Sequence, residues 1–187
     1  TVSTPRSLDP VTLAEAKAFA RVDTSADDDL ITQLITASTD FALTYTNRIF
    51  LDTTYTYATG GFNGSCLIFP KGDIDTITSI SYYNDADVLT LIAGTVYTTD
   101  LSSVYATAYL LENQEWPTDM NPYRPLPIEV VLAGGVATAA DVPEQVKTFI
   151  KMQVTDMYEH RMTQIEDETR VNKTSLMLLN NLRIPYI

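Results

Sequence analysis

The longest helical pattern in the chain is the stretch Asp27–Asn47, which reads DDDLITQLITASTDFALTYTN. Its apolar residues recur three and four positions apart, so they form one stripe along a helix: Leu30, Ile31, Leu34, Ile35, Phe41, Ala42 and Tyr45. The three aspartates at its start face the positive end of the helix dipole, where carboxylates stabilise a helix. Capping and solvation are favoured over cation binding for these aspartates, because consecutive helical residues project to different sides. We therefore predict a long amphipathic helix whose stripe needs a partner.

A second long stripe lies between residues 142 and 160. It begins at Val142-Pro143-Glu144, with Asp141 as a candidate cap and proline in the first turn. The positions close to one stripe are Val146, Phe149, Ile150, Gln153, Met157 and Tyr158. His160 and Arg161 close this helix, where complementing the helix dipole is a commoner role for histidine than general-base catalysis. Because neither long helix can bury its stripe alone, we predict that the two pack on each other.

The rest of the chain divides into a short first helix and a β-rich middle. Thr12 stands three residues before Glu15, which is the spacing of a capping box and predicts a helix over Leu13–Ala20. Between the long helices, β-branched and aromatic residues alternate with turn residues. Candidate strands are Thr53–Ala58, Cys66–Phe69, Thr76–Tyr83, Val88–Ile92, Val104–Leu111 and Ile128–Ala133, with hairpin turns at 60–65 and 84–87 and an extended proline-rich loop at 116–127.

These patterns predict an α+β fold. We expect a small helical bundle of three main helices plus a C-terminal segment, with a β-rich insertion between helices two and three. One domain would span residues 1–161, helical at 8–48 and 142–161 with the insertion at 49–135, and a C-terminal tail for partner docking would span 162–187.

The tail is polar at first and apolar at its end. Leucines recur there at helical spacing, so a short amphipathic helix is predicted that either folds back as a fourth core helix or docks on a partner protein. The residues predicted to contact that partner are Leu176, Leu179, Leu182, Ile184, Pro185, Tyr186 and Ile187.

Charge excludes one class of function. The 187 residues include 24 acids and 12 bases, for a net charge of -12, and residues 48–141 alone hold 11 acids against 3 bases. A groove that grips nucleic acid needs local positive charge, so such a groove is not expected. The chain has no apolar run of eighteen residues and no basic segment followed by an apolar one at its start, so we predict neither a membrane span nor a signal peptide.

Residues for catalysis are also missing. One cysteine, Cys66, and one histidine cannot build a disulfide framework or a common zinc site, and Cys66 is most simply a small core residue. The glycines of 60–65 lack the lysine and the strand-to-helix context of a phosphate-binding loop. We therefore expect no enzyme, no cofactor and no metal. Trp116 and the eleven tyrosines leave one alternative, a carbohydrate-binding module that stacks sugars on aromatic rings.

The order of the helical motifs resembles the head-tail connector (adaptor) proteins of tailed bacteriophages. The resemblance covers roughly residues 8–48 and 127–161, and the motifs that carry it are Leu8–Lys17, Arg21–Asp23, Asp27–Ile31, Tyr45–Arg48, Asp141–Lys147 and Met157–Arg161. It does not extend to the insertion loops or to the last twenty-five residues.

The resemblance implies a structural virion protein of the phage neck, without catalysis. Such proteins assemble in the host cytoplasm into a ring, usually twelvefold, below the portal protein. The ring extends the DNA channel and offers a platform to the stopper or tail proteins, while the C-terminal segment inserts against the portal. An acidic channel wall would let packaged DNA pass without specific binding. The alternative within the neck is a stopper or tail-completion protein.

Overall fold

A computed structural model describes residues 2–4, 6, 8–62, 64–160 and 173–185. The chain forms two compact units. The helical unit comprises Ser7–Leu51 and Val136–Pro185, and the β unit consists mainly of Asp52–Gly135 together with the first residues of the chain. The predicted α+β class, with a β-rich insertion between the two long helices, is confirmed. Among the described helices, none has the length and apolar character needed to cross a membrane.

The helical unit contains helices α1 (Leu13–Ala20), α2 (Asp28–Thr46), α3 (Glu144–Glu159) and α4 (Lys173–Asn180), with one 3₁₀ turn at Ala139–Asp141. The predicted capping box starts α1. The Thr12 hydroxyl accepts a hydrogen bond from the Glu15 amide at 3.2 Å, and the Thr12 amide donates to Glu15 Oε2 at 2.8 Å. Both α1 and α2 end at a residue with left-handed backbone, Arg21 (φ 55°) and Asn47 (φ 56°). The helix bounds therefore follow the predicted ones closely.

The acidic residues at the helix starts also make contacts that the sequence did not predict. Asp27 occupies the N-cap position of α2, yet its side chain makes no capping hydrogen bond and instead accepts one from the Tyr158 hydroxyl at 2.7 Å. Asp28 forms an ion pair with Lys17 of α1. Asp141 does not cap α3, because it belongs to the 3₁₀ turn, where its carboxylate accepts from Thr138 at 2.7 Å. These carboxylates tie neighbouring segments together.

The core of the helical unit lies between α2 and α3, as predicted. Helix α2 contributes Ile31, Ile35 and Ala42, and the Phe41 ring stacks on Phe149 of α3 with centroids 5.8 Å apart. The stripe of α2 also buries the hydroxyl residues Ser38, Thr39 and Thr46, each of which donates to the carbonyl four residues earlier. Those bonds satisfy the hydroxyls internally, so polar residues can lie in an apolar interface.

The β unit contains two antiparallel sheets. The described strands are β1 (Val2–Thr4), β2 (Thr53–Thr59), β3 (Cys66–Ile68), β4 (Ile74–Tyr83), β5 (Leu89–Leu91), β6 (Tyr97–Asp100), β7 (Thr107–Leu110) and β8 (Ile128–Gly134). One sheet has the order β1-β2-β8-β4-β5 and the other β3-β7-β6. In β8, Ile128, Val130 and Leu132 alternate with half-buried residues, so one face of the larger sheet forms the core of this unit.

Two features of the β unit differ from the predictions. A hairpin turn at residues 60–65 is wrong, because β2 pairs with β8 while β3 pairs with β7, so this segment connects two sheets. Strands β1 and β6 were not predicted. The turn at 84–87 is confirmed, since β4 and β5 pair on either side of it.

The insertion leaves and re-enters the helical unit at one place. Leu51 and Val136 form an isolated parallel bridge, and the Val136 amide donates to the Phe50 carbonyl at 3.2 Å. Phe50 and Leu51 are both buried in the helical core. The ends of the insertion are therefore held side by side by the helical unit.

Candidate partner-binding surfaces

The C-terminal segment, residues 173–185, is anchored to the end of α2. The Ile184 amide donates to the Thr46 carbonyl at 2.9 Å, and Arg48 Nε donates to the Leu182 carbonyl at 2.6 Å. The Tyr45 hydroxyl donates to Asn180 Oδ1 at 2.6 Å, and the Arg183 guanidinium lies 5.3 Å from the centre of the Tyr45 ring. These contacts fix where the chain leaves the helical unit.

The residues predicted to contact a partner fall into three groups. Leu179 (0% exposed) and Ile184 are buried in the helical unit, and Leu176 and Leu182 are half-buried against its core. Pro185 is exposed. Met177 of α4, which was not among the predicted residues, retains 67% of its accessible surface. Tyr186 and Ile187 lie outside the described residues. In this conformation α4 is a fourth core helix, which was one of the two predicted alternatives, and contact of the segment with a partner stays a prediction.

A second surface lies at the turn between β4 and β5. The Asn84 side chain shapes the turn, because its Oδ1 accepts hydrogen bonds from the amides of Ala86 at 3.1 Å and Val88 at 2.9 Å. Asp87 adopts a left-handed backbone, with φ of 58°. The turn is therefore held by its own side chain to main chain bonds.

The proline-rich loop packs against this turn. Asn121 Nδ2 and Arg124 Nη1 both donate to Asp87 Oδ1, at 3.1 and 2.9 Å, and the Arg124 guanidinium lies 3.4 Å from the centre of the Tyr83 ring. Loop and hairpin are also joined by backbone hydrogen bonds between Asn121 and Tyr83 and between Tyr83 and Pro127. The contacts at positions 121 and 124 place Tyr123, between them, beside the turn.

Large apolar side chains are exposed around this junction, and we call them the tip patch: Val88, Leu89, Leu91, Tyr123 and Leu126. Tyr123 is 94% exposed. Leu89 and Leu91 pair with Tyr83 and Ser81, on the face of β4 opposite to the buried Ile80 and Tyr82. Since β5 is the edge strand of the described sheet, its leucines are open to a partner.

Carboxylates lie beside the tip patch, with Asp85 and Asp87 in the turn itself. Burial, a hydrogen bond with Asp119, and the charges of Asp119 and Asp85 together raise the pKa of the Tyr82 hydroxyl, so Tyr82 stays neutral at physiological pH. The base Arg124 lies next to the turn and is paired with Asp87. The rim of the patch is therefore acidic.

The aromatic residues do not offer a sugar-binding platform around Trp116. This indole is only 9% exposed, and Phe62 stacks parallel to it with centroids 4.5 Å apart. Its Nε1 donates to the Gly64 carbonyl at 3.0 Å, and Tyr97 lies 6.4 Å away. Trp116 therefore packs against the segment that connects the two sheets, and Phe62 covers one face of its ring.

His160 and Cys66, the other two residues considered for catalysis or metal binding, lie at a helix end and in a strand. His160 ends α3, where its Nδ1 lies 3.4 Å from Asp156 Oδ1, so it has the helix-end position that its sequence context predicted. Cys66 lies in β3 as a free, half-buried thiol. Within residues 8–62, 64–160 and 173–185, no cluster of three or more metal-ligating side chains is present.

Comparison with known proteins agrees with this architecture. The family model of phage gp6-like head-tail connector proteins matches residues 10–68. No curated protein matches the sequence. The fold matches a chain in the virion of a native gene transfer agent (TM-score 0.79, 16% identity) and one in the neck of an empty gene transfer agent particle computed with C6 symmetry (0.76, 14%).

Another similar chain comes from the neck of a native particle computed with C12 symmetry, with a TM-score of 0.68 and 14% identity. Each comparison covers 100% of this chain and 96% or 97% of the other. At such low identity these likenesses show a common fold. Together with the family match over α1, α2 and the start of the β unit, they confirm the resemblance to the head-tail connector proteins of tailed bacteriophages that was predicted from the sequence.

Proposed function

We propose that this chain is a connector that assembles as a ring of twelve copies directly below the portal protein. The ring would extend the DNA channel and carry the stopper or tail proteins. The observation that carries the proposal is the family match over residues 10–68, the segment that forms α1, α2, β2 and β3. Chains of the same fold occur in necks computed with C6 and C12 symmetry, which supports a cyclic arrangement. In a ring, one surface of each copy meets a different surface of the next.

The C-terminal segment is proposed to contact the portal. Its buried residues, Leu179 and Ile184, fix the segment to the helical unit, and Leu176 and Leu182 support it. The chain then leaves the core at the exposed Pro185 and continues into Tyr186 and Ile187. We assign the anchoring role to the buried residues and the direct portal contact to the apolar end from Pro185 onward.

The acidity of the insertion supports passage of DNA without binding. The three bases of residues 48–141 are all engaged. Arg48 donates to the Leu182 carbonyl, Arg124 pairs with Asp87, and Lys71 lies 4.5 Å from the centre of the Tyr55 ring with its pKa lowered by burial. The same segment holds eleven acids, one of which, Asp87, is paired with Arg124. If this surface lines the channel, it repels phosphates and lets the duplex slide.

We also propose where the protein is found during and after assembly. It would be made in the host cytoplasm, join the portal during assembly and remain in the neck of the virion. The stopper alternative differs in one respect, since such a protein would bind below the connector and not to the portal.

The test uses the purified chain and the portal protein of the same virus. We expect the chain to bind portal and to form a ring with acidic side chains toward the lumen in an image of the complex. A chain ending at Ile184 should keep its melting temperature, because every buried residue described remains, and should lose portal binding.

Three outcomes would each contradict one part of the proposed function. Unchanged portal binding by the chain ending at Ile184 would overturn the assignment of the C-terminal contact. A chain that binds only a tail-side neck protein would be a stopper. A basic lumen in the imaged ring would contradict the proposed DNA passage.

A further inference from the structure

We infer that the tip patch is the docking site for a tail-side neck protein whose surface offers an apolar pocket rimmed by lysine or arginine. The inference rests on the proposed function, since the portal contact is there assigned to the C-terminal segment. It adds a second partner surface on the β unit and states the chemistry that this surface recognises.

The first support is the exposure of apolar surface on a rigid support. Tyr123 projects from a loop that has proline at positions 122 and 125 and is fixed to the hairpin through Asp87. Proline limits the freedom of the backbone before binding, and tyrosine has few rotatable bonds. Little conformational entropy is therefore lost when a partner covers Tyr123.

The second support is the position of the leucines. Leu89 and Leu91 lie on the edge strand β5, on the sheet face opposite to the core of the β unit. Strand β5 has three residues and no charged side chain, so its two exposed leucines leave apolar surface at the sheet edge. Contiguous apolar surface with a polar rim is typical of a protein interaction site.

The charge of the rim decides the kind of partner. Asp85 is exposed and Arg124 offsets the charge of Asp87, so the turn keeps a net negative charge. Pairing of two such patches would bring two acidic insertions together, each with 11 acids to 3 bases, and is disfavoured by repulsion. A partner with a basic rim is attracted to this negative charge, and an apolar pocket on its surface would accept the Tyr123 side chain.

The experiment measures binding of the full chain to two purified probes, the portal protein and the tail-side neck protein of the same virus. Tyr123→Ser and Leu91→Ser should each weaken binding of the tail-side protein about tenfold or more while portal binding is unchanged. Val104→Ser, which removes an exposed apolar side chain elsewhere in the β unit, should change neither.

A charge pair tests the rim. Asp85→Lys should weaken binding of the tail-side protein several-fold, whereas Glu112→Lys, which changes the net charge equally at another exposed position, should have a much smaller effect. Raised salt should weaken binding of the unchanged chain and reduce the difference between the two variants, because screening removes the rim attraction.

Three results would overturn the inference. The first is tail-side binding that neither patch variant alters. The second is tighter binding on Asp85→Lys, which would indicate an acidic partner. The third is loss of self-assembly with tail-side binding intact, which would make the patch a contact between copies. If the unchanged chain binds neither probe, the proposed function fails, and the partner assignment falls with it.

Discussion

Thr12 and Glu15 set the start of α1 through reciprocal hydrogen bonds, and this pair makes the first helix sensitive to pH. Hydrogen bonds from the Thr12 amide and hydroxyl lower the pKa of the Glu15 carboxyl below its ordinary value of 4.5. A lowered carboxyl pKa means that the ionised form stabilises the folded state. This stabilisation is fully present above pH 4.5 and is lost as the pH falls through the lowered pKa.

Thr12→Ala should therefore lower the free energy of unfolding by about 1 kcal/mol at pH 7. At pH 2 the loss should be smaller, because protonated Glu15 no longer contributes in either protein. Urea unfolding at the two pH values measures the difference. Thr12→Ser keeps the hydroxyl and should stay close to the unchanged chain, and an equal loss at both pH values would exclude the contribution of Glu15.

At the scale of elements, α4 is a core helix on one side and an open surface on the other. Leu179 is fully buried, while Met177 on the same helix is largely exposed. Leu179→Ala should lower the free energy of unfolding by about 2–5 kcal/mol, because it leaves a cavity in the helical core. Met177→Ala should stay within about 0.5 kcal/mol of the unchanged chain.

Chemical denaturation of both variants checks this expectation. Equal and small effects would mean that α4 leaves the core in solution. A large loss for Leu179→Ala would also explain why deleting the whole tail is a poor test of portal binding, since that deletion removes core residues together with the contact residues.

Helices were predictable because their signals are local. The capping box and the apolar stripes of α2 and α3 depend on residues a few positions apart. The pairing of β2 with β8, and of β3 with β7, joins residues far apart in the chain, so no local pattern reveals it. The glycines at 60–65 are typical of a turn and therefore favoured a hairpin that the structure does not contain. Strand β6 has no strong alternation, and its place in the second sheet is given by its partner β7.

The interaction surfaces show the same division. The apolar C-terminal end was visible in the sequence, but the burial of Leu179 depends on its packing against the rest of the helical unit. The tip patch was not predicted. Leu89 and Leu91 alternate with Thr90 as core residues would, and only the sheet order shows that β5 is an edge strand. The proline content of residues 116–127 predicted a loop, whereas the exposure of Tyr123 follows from tertiary contacts.

At the scale of the whole molecule, net charge governs the encounter with DNA. The chain carries -12, and the bases of its most acidic segment are already engaged by a carbonyl, a carboxylate and an aromatic ring. We expect no binding of the chain to double-stranded DNA in a mobility-shift assay, even at about 50 mM salt, where phosphate contacts are strongest. A salt-sensitive shift would instead reveal a basic surface formed by other segments.

The bridge between Leu51 and Val136 has a consequence for how such a chain can diversify. Since residues 52–135 depart and return at neighbouring positions, changes in their length leave the separation of α2 and α3 untouched. The insertion can therefore be exchanged as a whole. A lineage could replace the insertion to suit a new neighbour while inheriting the helical framework intact, which fits a family match that begins in the framework and stops at residue 68, inside the insertion.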